Sequence, residues 1–161
     1  MRWSVVVIIL VVSSCATIRN YRTLEQPQNQ TLTASVGGTI FRLNRTSDLP
    51  NVIGKADLYG GKVNKGYAEL KFRGVNDSGE LILQVTDVNL SSSETTMDRY
   101  RPGPVVDVRQ SVNIGSRDTP ESTTFAFDPR KQNELVVAGV KVRFVNVQPY
   151  SVSFILQDTQ H

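Results

Sequence analysis

The sequence predicts an all-β fold, a single antiparallel β-sandwich or a small β-barrel of about seven to nine strands. Three observations predict it. Apolar and polar residues alternate along many short segments, and turn-forming residues separate those segments from one another. No long window carries an apolar stripe with the helical period, so no helix of ordinary length is expected.

The clearest predicted strand covers residues 67–75. Ala68, Leu70 and Phe72 alternate there with charged residues. Successive side chains of a strand point to opposite faces, so this segment has one apolar face for the core and one charged face for solvent. The next strand repeats the pattern, and the Asn-Asp-Ser-Gly sequence at 76–79 predicts a hairpin turn between the two.

The remaining predicted strands are shorter or less regular. The segment at 52–59 fits either a strand or a loop, and Pro149 marks a turn between the last two strands. The only helix candidate is a short turn near residues 128–134. The other predicted strands cover residues 31–36, 39–44, 81–85, 106–114, 122–127, 140–144 and 152–156.

Length and composition are those of one ordinary globular domain. The chain has 161 residues, of which 39% are apolar and 20% are charged, and a domain of about 130 residues can bury a core without disulfides or metals. The formal net charge is +3, and loss of a leader that contains Arg2 would leave 17 basic and 15 acidic side chains. A charge of this size does not indicate a nucleic-acid partner.

The N-terminal segment has the three parts of an export leader. Residues 1–3 are short and positive, residues 5–12 form an unbroken aliphatic run, and two serines at 13–14 precede a cysteine. The run is shorter than the ~20 residues that span a bilayer as a helix. The segment resembles the signal peptides of bacterial lipoproteins, in which a branched apolar residue, two small residues and a cysteine form the processing site, here Val12-Ser13-Ser14-Cys15.

The resemblance implies a lipid anchor on Cys15. A diacylglycerol would be attached to its sulfur, the chain cut in front of it, and the new amine acylated, for example with palmitate. One acyl chain binds a membrane only marginally, whereas two or three give stable anchoring. Ala16 follows where an aspartate would favour retention at the inner membrane of a Gram-negative cell, so the resemblance implies the outer membrane of a bacterial envelope. The expected division is a removed leader at 1–14, a lipidated polar tether at 15–30 and a β-domain at 31–161.

The folded part lacks the residues of common catalytic and metal sites. Cys15 is the only cysteine, and the only histidine is His161, the last residue. A Ser-His-Asp or Cys-His centre and a thiolate or imidazole metal site are therefore not expected in the domain. Neither an enzymatic activity nor a cofactor is predicted. Acidic residues are present, but Glu69 and its neighbours on a charged strand face are expected to be solvated.

A long segment without a core pattern, at 91–104, lies between two predicted strands. Loops of this length often carry function or are mobile. Arg99, Tyr100 and Arg101 form a basic and aromatic run within it, and Arg and Tyr are favoured in binding hot spots. These three residues are the candidate binding site of the domain.

Three functions are weighed for this chain. The leading hypothesis is a non-enzymatic envelope protein that is anchored through Cys15 and binds a protein or an envelope ligand with its β-domain. One alternative is a hollow barrel that carries an apolar ligand, which a core packed by Phe72, Leu83, Val142 and Phe154 would exclude. The other is a carboxylate-dependent hydrolase of wall glycans, which needs two acids about 5 to 10 Å apart in a cleft.

Overall fold

Nine β-strands and one short helix make up the described part of the chain, residues 17–100 and 121–159, in a computed structural model. Each strand runs antiparallel to the strands with which it pairs. The elements in chain order are β1 (Asn20–Leu24), β2 (Thr31–Ser35), β3 (Thr39–Asp48), β4 (Lys62–Val75), β5 (Leu81–Asn89), α1 (Thr96–Tyr100), β6 (Glu121–Phe127), β7 (Glu134–Val137), β8 (Val140–Gln148) and β9 (Ser151–Asp158).

The strands form two sheets that pack as a sandwich. One sheet has the order β1-β3-β4-β5-β6, and the other has the order β2-β9-β8-β7. Among the described residues each sheet ends in two edge strands, so the architecture is an open sandwich rather than a closed barrel. The prediction of an all-β fold with about seven to nine strands is confirmed.

The core lies between the two sheets. Phe72 and Leu83 of the first sheet belong to one buried cluster with Val142 and Phe154 of the second, and none of the four is more than 2% exposed. Burial of each such side chain stabilises the fold by roughly 1.5–3 kcal/mol. In the described part of the chain this cluster fills the space between the sheets, which removes the support for a hollow carrier.

The predicted strands match the observed ones most closely where alternation is strongest. The prediction places β2, β6 and the buried centres of β4, β5, β8 and β9 correctly, and β3 and β4 run further than expected, to Asp48 and from Lys62. Their mutual pairing continues beyond the alternating pattern, because the backbone ladder does not require apolar side chains. The strand predicted at 106–114 lies outside the described residues.

Residues 20–24 correct the predicted tether at 15–30. They form β1, which pairs with β3 along its whole length. β1 is a mostly exposed edge strand held by backbone hydrogen bonds, so its sequence lacks the alternation that reveals the other strands. Arg22 also reaches the second sheet, where it donates to the Ala138 carbonyl at 2.5 Å and lies 3.8 Å from Asp158. The folded domain therefore begins with β1.

Three short segments also differ from the prediction. Residues 128–133, within the only helix candidate, form a turn, in which the N–H groups of Lys131 and Gln132 both donate to the Asp128 carbonyl at 3.2 Å. The strand β7 follows at once and was not predicted. A single helical turn, α1, lies instead in the segment at 91–104 that was expected to be a loop.

Glu69 in β4 is buried, although its position on a charged strand face predicted solvation. Thr39 Oγ1 donates to Glu69 Oε1 at 3.0 Å, and Lys71 Nζ lies 3.1 Å from Oε2. Glu69 is 8% exposed and both of its carboxylate oxygens have partners, which offsets the cost of removing the carboxylate from water. Its contacts give it a structural role within β4 and its neighbour.

The two ends of the sandwich differ in their connections. We call one the turn end, because it holds the short turns at 76–80 and 149–150 that join β4 to β5 and β8 to β9. The other is the loop end, which holds the connection at 49–61, between β3 and β4, and the residues at 90–100 that follow β5. β1 also begins at the loop end, since its first residue pairs next to the end of β3.

Candidate functional site at the loop end

The chain enters the sandwich at the loop end, beside the last residue of β3. The Arg19 N–H donates to Asp48 Oδ2, and the Asp48 N–H donates to the Arg19 carbonyl, both at 2.9 Å. Arg19 is therefore fixed at this end of the first sheet. Cys15, the residue of the predicted lipid anchor, is four positions before Arg19 and lies outside the described residues.

An ion pair closes the base of the β3–β4 connection. Lys62 Nζ donates to Asp48 Oδ1 at 2.5 Å and lies 3.5 Å from the centroid of the Tyr21 ring, a cation–π contact. The hydrogen bond from Lys62, aided by the Arg19 N–H, holds the pKa of Asp48 below its ordinary 3.8. The same bond raises the pKa of Lys62 above 10.5. Both groups are charged at neutral pH, so the pair is not suited to proton transfer. Through its contacts with Tyr21 and the Arg19 N–H, the pair holds β1, β3 and β4 together.

The connection at 49–61 is an ordered loop with a buried side of its own. The Leu49 N–H donates to the Gly61 carbonyl, and the Leu49 carbonyl accepts from the Asp57 N–H, both at 2.8 Å. Pro50 and Ala56 form an isolated antiparallel bridge inside this frame. Leu49 is fully buried and Ala56 nearly so, so one side of the loop packs inward.

Four large apolar side chains of the same loop face outward. Val52 and Ile53 are 68% and 71% exposed, and Leu58 and Tyr59 are 92% and 78% exposed. The first pair lies in a tight turn that Asn51 holds, because its side-chain oxygen accepts the Ile53 N–H at 3.0 Å. These apolar groups are thus displayed by a hydrogen-bonded loop, and their exposure contributes nothing to folding.

The helix α1 packs on this loop. The Thr96 N–H donates to the Pro50 carbonyl at 2.9 Å, and Thr96 Oγ1 lies 3.2 Å from Asp57 Oδ1. The Thr95 hydroxyl and the Asp98 carboxylate hydrogen bond at 2.7 Å over the first turn. These contacts hold the start of the β5–β6 connection against the β3–β4 connection.

α1 adds two more exposed apolar side chains to those of the loop. Met97 is 62% exposed and Tyr100 is 51% exposed. The Tyr100 ring meets the Tyr59 ring edge to face, with 5.3 Å between the centroids. We call these six exposed side chains of the loop and α1 together the apolar patch; they are Val52, Ile53, Leu58, Tyr59, Met97 and Tyr100.

The structure does not bring the three predicted binding residues together as one basic site. Arg99 makes hydrogen bonds within the domain: its guanidinium donates to both Glu94 carboxylate oxygens at 2.5 and 2.7 Å and to the Lys62 carbonyl at 3.0 Å. The hydrogen bond to Glu94 raises the pKa of Arg99 above its ordinary value. Tyr100 belongs to the apolar patch, and Arg101 lies outside the described residues. The described part of the candidate site is therefore apolar and aromatic, and its one described arginine serves to hold the loops together.

Sequence reasoning missed the four patch residues that belong to the β3–β4 connection. Residues 52–59 fit either a strand or a loop, and neither interpretation tells which of the apolar side chains there are exposed. The sequence does contain a signal for exposed apolar side chains here. Pro50 and the glycines at 54, 60 and 61 break the segment into turns that are too short to bury every apolar side chain. Which side chains face inward depends on contacts with Leu49 and α1, which lie outside that window.

The turn end carries an open cleft of about 700 Å³. Its lining combines apolar side chains with amides and one arginine, and no carboxylate belongs to it among the described residues. A glycosidase site needs two carboxylates, so this cleft lends no support to the hydrolase hypothesis. The lining residues are Val75, Asn76, Gly79, Pro129, Arg130, Asn133, Phe144, Val145, Asn146, Val147, Gln148 and Pro149.

Comparison with protein-family models, with curated proteins and with solved structures finds no match to this chain. Across residues 17–100 and 121–159, no three His, Cys, Asp or Glu side chains converge as they would around a metal ion. No helix within those residues is long and apolar enough to cross a bilayer. The loop end, with its apolar patch, remains the most distinctive surface of the described fold.

Proposed function

We propose that this chain is a bacterial lipoprotein, held in the cell envelope by lipid on Cys15, at the outer membrane in preference to the inner. Its β-sandwich acts by binding an envelope component or another protein, without catalysis. The observation that carries the proposal is the order of the leader: a positive start, an aliphatic run and the sequence Val12-Ser13-Ser14-Cys15.

The described fold supports a binding role in two ways. The interior is filled by side chains such as Phe72 and Phe154, which leaves no room for a carried ligand between the sheets of the described part. The apolar patch gives the domain an ordered surface of six exposed apolar side chains, and patches of this kind mark contact sites on soluble domains.

The test is replacement of the lipidated thiol. Cys15→Ser removes the sulfur that would carry diacylglycerol, and Ser13→Ala is the matched control because it keeps two small residues before the cysteine. We expect the unaltered chain and Ser13→Ala to fractionate with membranes, with an N-terminal cysteine whose mass includes the lipid. We expect Cys15→Ser to lose both properties. Membrane association and an unlipidated mass shared by all three proteins would refute the proposal.

A further inference from the structure

The apolar patch lies on the same end of the sandwich as the point where the chain arrives from Cys15. Asp48 bonds the backbone of Arg19 on one side and Lys62 on the other. The loop at 49–61 leaves from Asp48 and returns at Lys62, so its base flanks Arg19 directly. Any force that holds the N-terminal segment of the domain at a surface also brings the patch toward that surface.

The distance available between Cys15 and the domain is short. Cys15 lies four positions before Arg19, and an extended chain advances at most about 3.6 Å per position, so the span is at most about 14 Å. A tether running to residue 30 would allow about 50 Å and would leave the domain free to present any face. Because β1 begins at Asn20, the loop end cannot leave the neighbourhood of the anchor.

We propose that the apolar patch is a membrane-contact surface, which inserts into the lipid interface when Cys15 carries its anchor. This inference rests on the proposed lipid anchor and adds an orientation to it: the sandwich stands with its loop end on the bilayer and its turn end away from it. The headgroup layer is only about 5–7 Å thick on each side, so a domain whose first ordered residues are held within ~14 Å of the anchor lies at the membrane surface.

The composition of the patch suits a lipid interface. Tyr59 and Tyr100 are amphipathic rings of the kind enriched at the boundary between headgroups and acyl chains. Val52, Ile53 and Leu58 are aliphatic and lie at the tips of two turns, where they can enter the boundary without rearrangement of the loop. Exposed aliphatic tips on a hydrogen-bonded loop gain free energy only when an apolar medium receives them.

Two ion pairs, each neutral overall, hold the loops that carry the patch. Lys62 pairs with Asp48, and Arg99 pairs with Glu94. Ion pairs of this kind leave little net field to attract anionic lipid. The contact is therefore apolar, and we expect it to depend weakly on ionic strength.

The experiment places a single tryptophan at either end of the sandwich. The only tryptophan of the chain, Trp3, lies in the leader and is lost with it. Leu58→Trp labels the patch, and Tyr150→Trp labels the turn end at a residue that is also 80% exposed. Ile53→Trp repeats the measurement on the other tip of the loop. Each full-length, lipidated protein is reconstituted into phosphatidylethanolamine and phosphatidylglycerol vesicles that contain phosphatidylcholine brominated on its acyl chains.

We expect a blue shift and a severalfold loss of tryptophan emission for Leu58→Trp and Ile53→Trp, at low and high salt alike, and no change for Tyr150→Trp. Vesicle association of all three proteins without bromine quenching at the patch would overturn the membrane contact and leave the anchor intact. A blue shift that grows with protein density and comes without bromine quenching would also overturn it, in favour of contact between copies of the chain. If none of the proteins associates with vesicles, the proposed anchor itself fails.

Discussion

The two ends of this sandwich solve the same task, the joining of antiparallel strands, in different ways. At the turn end, residues 76–80 close β4 onto β5 through local bonds: the Asn76 N–H donates to the Glu80 carbonyl at 3.0 Å, and the Asn76 side-chain oxygen accepts the Glu80 N–H at 2.8 Å. At the loop end, β3 and β4 are also antiparallel neighbours and need no more than a two-residue turn. They are joined instead by residues 49–61.

The difference teaches where to look for function. The longer connection keeps its own buried residue, Leu49, and yet turns four large apolar side chains to the outside. A turn that only joined two strands would gain nothing from this arrangement, because exposed apolar area opposes solubility without stabilising the fold. The connection at the loop end therefore suits the proposed contact with an apolar surface outside the domain, whereas the turn at 76–80 only has to join β4 to β5.

The largest effect we predict is on stability, and it compares one glycine at the loop end with one glycine at the turn end. Gly66 in β4 has a φ of +105°, and a Cβ there would lie 1.8 Å from the Val88 carbonyl oxygen of β5. Gly79 in the hairpin turn has a φ of +80°, but a Cβ would meet only the flexible Arg130 guanidinium at 3.5 Å. We expect Gly66→Ala to lower the free energy of unfolding by about 3 kcal/mol or more, and Gly79→Ala by about 1–2 kcal/mol.

Urea denaturation of the purified domain measures both glycine variants. The larger cost at Gly66 has a physical cause, since the β4–β5 ladder must open to admit the methyl group, whereas Gly79 needs only the cost of a left-handed backbone. Equal losses of unfolding free energy for the two variants would mean that the close approach of β4 and β5 at the loop end is not rigid. The base of the β3–β4 connection would then not be rigid either.

Much of the fold could be predicted from the sequence because its information is local. The turn at 76–79 and the alternation in β4 and β9 depend on residues within a few positions of one another. β1 could not be found in this way. Asn20–Leu24 are mostly exposed, and the strand exists because β3 offers an unpaired edge that lies some twenty residues further along the chain.

The candidate site was predictable only in part, for a related reason. Tyr100 stands out in a run with two arginines, and the run predicts a binding site that is basic as well as aromatic. Arg99 looks free in the sequence, and only the fold brings Glu94 and the Lys62 carbonyl to its guanidinium. Leu58 and Leu49 are both leucines in one short loop, and no local pattern tells which of them is exposed.

That pair of leucines supplies the next prediction, within the loop end itself. Leu49 is fully buried and Leu58 is 92% exposed. Leu49→Ala should cost about 2–4 kcal/mol of stability through lost burial and a cavity, whereas Leu58→Ala should stay within about 0.5 kcal/mol. Equilibrium unfolding in urea measures both. A large loss at Leu58 would show that its side chain packs in the domain in solution, and would count against an outward-facing patch.

The smallest effect we predict is on the melting temperature, and it compares one ion-paired aspartate at each end of the sandwich. Asp48 joins distant parts of the chain, Arg19 and Lys62, while Asp128 at the turn end binds Arg130 only two residues away. In both cases the hydrogen bond from the basic side chain lowers the pKa of the carboxyl below 3.8. We expect Asp48→Asn to lower the melting temperature at pH 7 and Asp128→Asn to lower it less, because a local pair constrains less of the fold.

The pH dependence of Asp48→Asn follows from the directions of the two pKa shifts at the loop end. A carboxyl whose pKa is lowered by folding stabilises the fold above its ordinary 3.8, and this contribution is lost as the pH falls below that value. Lys62, whose pKa is raised, contributes below 10.5 and loses its contribution as the pH rises beyond it. The difference in melting temperature between Asp48→Asn and the unaltered domain should therefore be constant from about pH 5 to pH 9 and shrink below pH 3.8. A difference that persists unchanged at pH 2 would assign the effect of Asp48 to its shape and neutral hydrogen bonds, and the loop end would then be held together by backbone pairing rather than by its ion pair.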